Sequence, residues 1–321
     1  MRPNLTYMSG HWKAEQIPLL TGRRFLITGA NSGIGFYAAL KLARKNAELI
    51  LACRDLRKGE EALAWLREEA PGARAEVAVL DLASLVSVKE FASRELERQR
   101  PLHVLINNAG VMAVPKRTLT ADGFEMQFGT NVLGHFALTG LLWPALERAA
   151  GEGAPPRVVT IASIAHKRGR VDLDNLQGER SYSPMRAYQQ SKLANLMLAL
   201  EMGRRLQRKG SPILSVAAHP GVASTALFRT EERSSLAKGL RSAIGQVIRM
   251  VLNDEPEGAL PTLYAATCPD VVNGGYYGPQ QMNEMRGDVV GPAKIAPHAL
   301  DEALAARLWE RCSQLTGVDF V

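Results

Sequence analysis

Phe25-Leu26-Ile27-Thr28-Gly29-Ala30-Asn31-Ser32-Gly33-Ile34-Gly35 reads as an apolar strand, a glycine turn and the first turn of a helix. Glycines at 29, 33 and 35 allow a tight turn and let an anionic group approach the backbone. The helix start then presents free N–H groups to it. The spacing is Gly-x3-Gly-x-Gly rather than Gly-x-Gly-x-x-Gly, but strand, turn and helix follow in the order a phosphate cradle needs. Gly29, Asn31, Ser32, Gly33, Ile34 and Gly35 are therefore candidate cofactor contacts.

The alternation continues along the chain. Apolar runs at 25–28, 49–53, 77–80, 104–107, 158–162 and 213–218 are separated by longer amphipathic stretches such as 33–45 and 57–69. Fully apolar strands between helices predict a parallel sheet covered on both faces, a doubly wound α/β fold. A Ser87-x-x-Glu90 capping box predicts the start of the helix after the third run. No linker or repeat interrupts the series, so 1–321 is expected to form one domain, with 1–20 as an N-terminal extension. In such sheets ligands bind beyond the carboxyl ends of the strands. Gly29, Arg54, Asp81, Asn107, Ser163 and His219-Pro220 sit at those ends and should share one cleft.

Composition narrows the function classes. With 46% hydrophobic residues the chain can bury a sizeable core. Its net charge of +7 is dispersed, without a basic block or interleaved aromatics, which argues against a nucleic-acid partner. No uninterrupted apolar run is long enough to span a membrane. Residues 1–20 carry Arg2, His11, Lys13 and Glu15 and read as neither a secretory signal nor an anchor. Cys53, Cys268 and Cys312 are few, odd in number and far apart, which fits a reducing, cytoplasmic setting and no disulfide framework. His135, His166 and His219 lack metal-ligand spacing, so no metal is expected. Of the three, His166 is expected to line the cleft. Over 226–253, Leu236, Leu240, Ile244, Val247, Ile248 and Val251 share a helical face with Arg233, Lys238, Arg241 and Arg249 outside it. This predicts a substrate lid, with a membrane-surface helix as the alternative.

Several positions carry chemistry. Arg54, first after the second strand, favours a cofactor with a 2′-phosphate, NADP(H) over NAD(H). Asp55 has two readings, a ribose contact or a helix cap. Asp81-Leu82, after the third strand, is placed to meet an adenine. Asn131 lies inside a helical pattern although asparagine is a poor helix former. A kinked helix with Asn131 holding a water against Lys192 would explain it. Ser163 is placed to steady charge developing on a substrate oxygen. Tyr188 and Lys192 are one helical turn apart, and the lysine charge is expected to lower the tyrosine pKa toward neutrality. With 7 tyrosines and 11 lysines in 321 residues, about one chain in four of this composition has such a pair by chance. The order of all these elements is what gives the pair weight. After the sixth strand, Pro220, Gly221 and Val222 set a turn whose backbone, with the Thr225 hydroxyl, can fix a carboxamide.

Taken together, Thr-Gly-x3-Gly-x-Gly (28–35), Asn-Asn-Ala-Gly (107–110), Asn131, Ser163 and Tyr-x3-Lys (188–192) resemble the short-chain dehydrogenase/reductase family from about residue 23 to 225. The resemblance implies a Rossmann-type, mainly parallel seven-stranded sheet and a homodimer or homotetramer. It also implies a catalytic tetrad of Asn131, Ser163, Tyr188 and Lys192. Asn108, Ala109 and Gly110 would contact the cofactor, Asn107 would support the central strand, and Lys192 would also bind the nicotinamide ribose. Ala-Asn-Ser-Gly-Ile-Gly (30–35), Ala-Cys-Arg-Asp (52–55), Asn-Val-Leu-Gly-His-Phe (131–136) and Gly-Gly-Tyr-Tyr-Gly-Pro (274–279) look like the retinol-dehydrogenase-like branch. That branch implies a lipophilic alcohol or aldehyde as substrate. Light-dependent protochlorophyllide reductases share the same core, so carbon–carbon double-bond reduction is an alternative reading. A catalytically silent NADP-binding regulator is another.

Overall fold

A computed structural model describes residues 12–222 and 254–321. Its strands are β1 (Arg24–Thr28), β2 (Glu48–Cys53), β3 (Arg74–Val79), β4 (Val104–Asn107), β5 (Arg157–Ile161), β6 (Leu214–Ala218), β7 (Gly275–Gln281) and β8 (Arg286–Pro292). They form one sheet in the order β3-β2-β1-β4-β5-β6-β7-β8. The first seven run parallel and β8 pairs antiparallel with β7. The expected strand count of seven is thus corrected to eight. Only Val289 and Val290 make β8 apolar, so a search for apolar runs passes over it.

Alternate residues of each strand point to opposite faces. Leu26 of β1 enters one core with Phe91, Leu133, Leu196 and Trp309. Phe25 and Ile27 enter the other with Phe36, Leu63 and Tyr264. Helices α1 (Gly33–Ala43) and α2 (Leu56–Glu69) cover this second face together with Leu260–Thr267. Helix α3 (Leu85–Glu97), Gly134–Leu141, Pro184–Arg208 and Glu302–Thr316 cover the first. The doubly wound α/β architecture is therefore the observed one. Trp12, Ile17 and Leu20 of the N-terminal segment also pack into the second core, Trp12 edge-on to Tyr264 at 5.3 Å.

Two local expectations shift. β3 begins at Arg74 rather than at 77, because an edge strand tolerates polar residues that a buried one does not. Helix α3 is capped by Ser84, whose side chain accepts from the Ser87 amide. Ser87 instead accepts from the Asp81 amide, at 3.0 Å. Both serines precede apolar residues at the right spacing, and the earlier one wins. No helix among the described residues is long and apolar enough to cross a membrane.

At the end of the sheet where β1 begins, Arg24 and Glu95 form a buried ion pair at 2.6 Å. Breaking a buried pair strands the remaining charge, at a cost of about 3–5 kcal/mol. Half-exposed Glu76 lies 3.5 Å from Arg24 and offers partial relief. Glu95→Ala should therefore cost about 3 kcal/mol, read as a lower urea midpoint, while ligand affinity at the opposite end of the sheet stays unchanged.

Candidate active site

The carboxyl ends of β1, β4, β5 and β6 open into a cleft of about 520 Å³, within the range of small-molecule sites. Gly29, Asn31, Ser32, Gly33, Ile34 and Gly35 line one part of it, and Asn108, Ala109 and Gly110 the part beside it. Gly29 has φ +67° and lies so close to Ala109 that a Cβ would sit 3.0 Å from the alanine Cβ. A Cβ on Gly35 would lie 2.6 Å from both the Gly29 carbonyl and Asn108 Nδ2. Only glycine keeps this backbone open, which is the cradle an anionic pyrophosphate needs at a helix start.

The turn after β4 is held by side chains. Thr28 Oγ1 accepts from the amides of Asn108 and Ala109, both at 2.9 Å, and Asn108 Nδ2 donates to the Thr28 carbonyl at 2.8 Å. Asn107 faces away from the cleft and donates to Thr139 at 2.9 Å, tying β4 to the helix Gly134–Leu141. Asn131 occupies a π-helical turn, Gly129–Leu133, an irregularity in the helix where a kink was expected. Its amide clamps Val111 from both sides: Oδ1 accepts from the Val111 amide at 2.8 Å, and Nδ2 donates to the Val111 carbonyl at 3.0 Å. A Cβ on Gly110 would lie 3.2 Å from Asn131 Oδ1 and 3.6 Å from Lys192 Nζ. Asn131 thus stands directly behind the cleft wall. Its carbonyl accepts from His135 Nδ1 at 3.0 Å.

Ser163, Tyr188 and Lys192 line the same cleft. Ser163 starts a 3₁₀ turn after β5 and accepts from the Ala165 amide at 3.2 Å, and its hydroxyl shares the cleft wall with the Tyr188 phenol. Lys192 is buried and donates to the Ile161 carbonyl at 2.9 Å. Its Nζ lies 5.9 Å from the centre of the Tyr188 ring. At that separation burial decides both pKa values. It pushes the Tyr188 phenol up, against a smaller lowering effect of the nearby Ser163 hydroxyl. It pulls the Lys192 ammonium down to about 8. The expected lowering of Tyr188 by the lysine is therefore corrected for the ligand-free protein.

A family model described as short chain dehydrogenase matches residues 23–235. The chain belongs to the short-chain dehydrogenases. Retinol dehydrogenase 13 of Homo sapiens is 40% identical over 304 residues, covering 94% of this chain and 86% of that protein. Polyprenol dehydrogenase of Mus musculus is 40% identical over 314 residues, covering 98% and 89%. Among solved structures, an uncharacterized protein from Mycobacterium paratuberculosis is 40% identical, with TM-score 0.77 over 97% of this chain and 100% of that one. The chain is thus an oxidoreductase of the carbonyl/alcohol type, retinol-dehydrogenase-like, that uses a nicotinamide cofactor.

Most of the residues singled out in the sequence meet in this short-chain dehydrogenase's cleft, Pro220, Gly221 and Val222 included. Arg54, Asp81 and Leu82 do not reach its lining. Arg54 is exposed just past β2, with no carboxylate paired to it among the described residues. Asp81 accepts from the Ala83 amide at 3.0 Å, and Leu82 is buried in the first core. Asp55 caps α2 by accepting from the Lys58 amide at 3.1 Å, which holds its carboxyl below the usual range. His166 corrects an expectation: it is fully buried rather than cleft-lining. Its Nδ1 donates to the Ser163 carbonyl at 2.7 Å and its Nε2 accepts from the Ala296 amide at 3.3 Å. Thr225 and the 226–253 segment lie outside the described residues. Met112, Ile161, Ala162, Ile164, Ala165 and Met185 also line the cleft. Sequence reading passed over them because apolar residues near strand ends look like any core residue. Met185 alone had a signal, standing three residues before Tyr188 on the same helical face.

Lys192 yields a signed pH prediction. The native ammonium loses its proton near pH 8, whereas the unfolded one keeps it to about 10.5. Between these values the unfolded state binds more protons, so stability rises with pH, and at neutral pH the burial cost is fully present. In the ligand-free protein Lys192→Met should be more stable than wild type at pH 7 by up to about 3 kcal/mol. The gap should close as the pH of urea melts approaches 10.5.

Proposed function

We propose that this short-chain dehydrogenase interconverts a lipophilic aldehyde or ketone and its alcohol with NADP(H), in preference to NAD(H). The observation that carries the reading is that Ser163, Tyr188 and buried Lys192 line the same cleft as the glycine cradle.

The amides of Gly29–Gly35 and the start of α1 would hold the pyrophosphate. Arg54 would take the 2′-phosphate, a role supported by its exposure and by Asp55 being engaged as a helix cap. Lys192 would hold the nicotinamide ribose, and the backbone of Pro220, Gly221 and Val222 the carboxamide. When bound, the cofactor supplies the hydride in reduction or accepts it in oxidation. Ser163 orients the substrate oxygen and steadies the charge that develops there. Burial keeps Tyr188 protonated at neutral pH, the state from which it gives its proton to a carbonyl oxygen. The Lys192 charge, 5.9 Å from the ring centre, favours the phenolate left behind. Asn131 holds the Gly110–Val111 wall in place through its two bonds to Val111. Met112, Ile164 and Met185 give the cleft an apolar wall. The names of the two relatives, a retinol and a polyprenol dehydrogenase, favour the same substrate class.

NADPH consumption against aldehydes and ketones, from short aliphatic to retinoid and isoprenoid, tests this reading. Turnover should rise with apolar size, and Tyr188→Phe should lower it about 100- to 10,000-fold while barely changing NADPH affinity. Arg54→Ala should weaken NADPH more than NADH. Wild-type rates in Tyr188→Phe, or no reduction of any member of the series, would refute the assignment.

A further inference from the structure

We propose that His135 is a positioning residue, setting the cofactor-facing backbone at Asn108 and Ala109 through the Thr28 hydroxyl. The proposal rests on reading the cleft as a nicotinamide-cofactor site.

The argument is a donor and acceptor count. The Asn131 carbonyl can only accept, so His135 Nδ1, 3.0 Å away, carries the hydrogen. In a neutral ring Nε2 is then an acceptor. It lies 2.8 Å from Thr28 Oγ1. Both lone pairs of that oxygen already accept the Asn108 and Ala109 amides, each at 2.9 Å. Its one hydrogen therefore goes to Nε2, since the Ile106 carbonyl is distant at 3.4 Å. Each atom in the chain has a single consistent role. The neutral ring this requires fits its burial, which pulls the His135 pKa down to about 4.

Removing Nε2 leaves the Thr28 hydrogen only the Ile106 carbonyl. The hydroxyl then rotates toward it and carries its lone pairs away from the two amides. Asn108 and Ala109 line the cleft, and Ala109 is in contact with Gly29, so the displacement reaches the glycine cradle. At its other end His135 grips the π-turn that presents Asn131. A single buried imidazole thus ties the Asn131 turn to the floor beneath the cofactor.

The test is NADP⁺ affinity by titration calorimetry, with thermal melts, for wild type, His135→Leu, His135→Gln, Thr28→Val and the His135→Leu/Thr28→Val double variant. His135→Leu should weaken NADP⁺ about tenfold. His135→Gln, whose amide oxygen replaces Nε2, should recover most of that affinity. The double variant should bind no more weakly than Thr28→Val alone, because both changes cut the same connection. If the leucine variant does not fold, His135→Asn, which reaches Asn131 but not Thr28, carries the same expectation. Wild-type affinity in folded His135→Leu or His135→Asn, a glutamine variant as weak as leucine, or additive losses in the double variant would each overturn the proposal. Wild type binding neither NADP⁺ nor NAD⁺ would overturn the proposed function as well, whereas intact binding in every His135 variant would overturn the positioning role alone.

Discussion

Where the strand order reverses, β1 and β4 lie side by side but send their chains to opposite faces of the sheet, and everything else at the site is fitted to that divergence. α1 leaves β1 toward the face holding Phe36, while the chain after β4 reaches the helix Gly134–Leu141 on the face holding Leu133. No connection closes the gap between them, so polar backbone at the two strand ends must find partners there or face a ligand. The Thr28 hydroxyl satisfies two of those amides, and Asn108 returns a bond to the Thr28 carbonyl. The glycines that follow leave their own backbone uncovered. The cleft thus comes from topology first and from side chains second.

Placing chemistry in such a gap has an energetic cost. Lys192 is buried with one hydrogen bond, to a carbonyl at the end of β5, and no carboxylate pairs with it among the described residues. Arg24, buried at the far end of the sheet, has Glu95 at 2.6 Å. The contrast separates two buried charges, one neutralised within the fold and the other unpaired at the cleft wall. The same burial acts on Tyr188, whose proton is held more firmly than helical spacing alone suggested. One turn of helix puts Nζ 5.9 Å from the ring centre, too far for its charge to outweigh desolvation in the ligand-free state.

The legible part of the sequence was the part in which the backbone demands one residue type. Gly29 and Gly35 are readable because no Cβ fits there, and Asn131 because an asparagine inside a helical pattern needs a reason, which proved to be a π-turn and a clamp on Val111. Strands buried on both faces were readable as apolar runs. Strand β8 and the start of β3 were not, because at a sheet edge hydrogen-bonding capacity rather than apolarity makes the strand. The position of His166 was also hidden: a histidine three residues after Ser163 can turn toward the cleft or beneath it. The packing of Tyr276 and Ala296, both more than a hundred residues later, decides for the latter.

The same physics divides the cleft into two ends of different readability. At the cofactor end, close approach and fixed donors restrict each position to one or two residue types, so chemistry can be inferred from spelling. At the proposed substrate end, Met112, Ile164 and Met185 contribute only apolar surface, and many side chains of similar volume could do the same. Methionine is the least committed of these, an unbranched thioether that adapts to irregular shapes. A wall built this way discriminates by size and apolarity and weakly by shape, because a missing methylene in such a pocket costs only about 1–3 kcal/mol. On the proposed reading the fixed end defines the reaction, and the adaptable end selects its substrate by apolarity more than by shape.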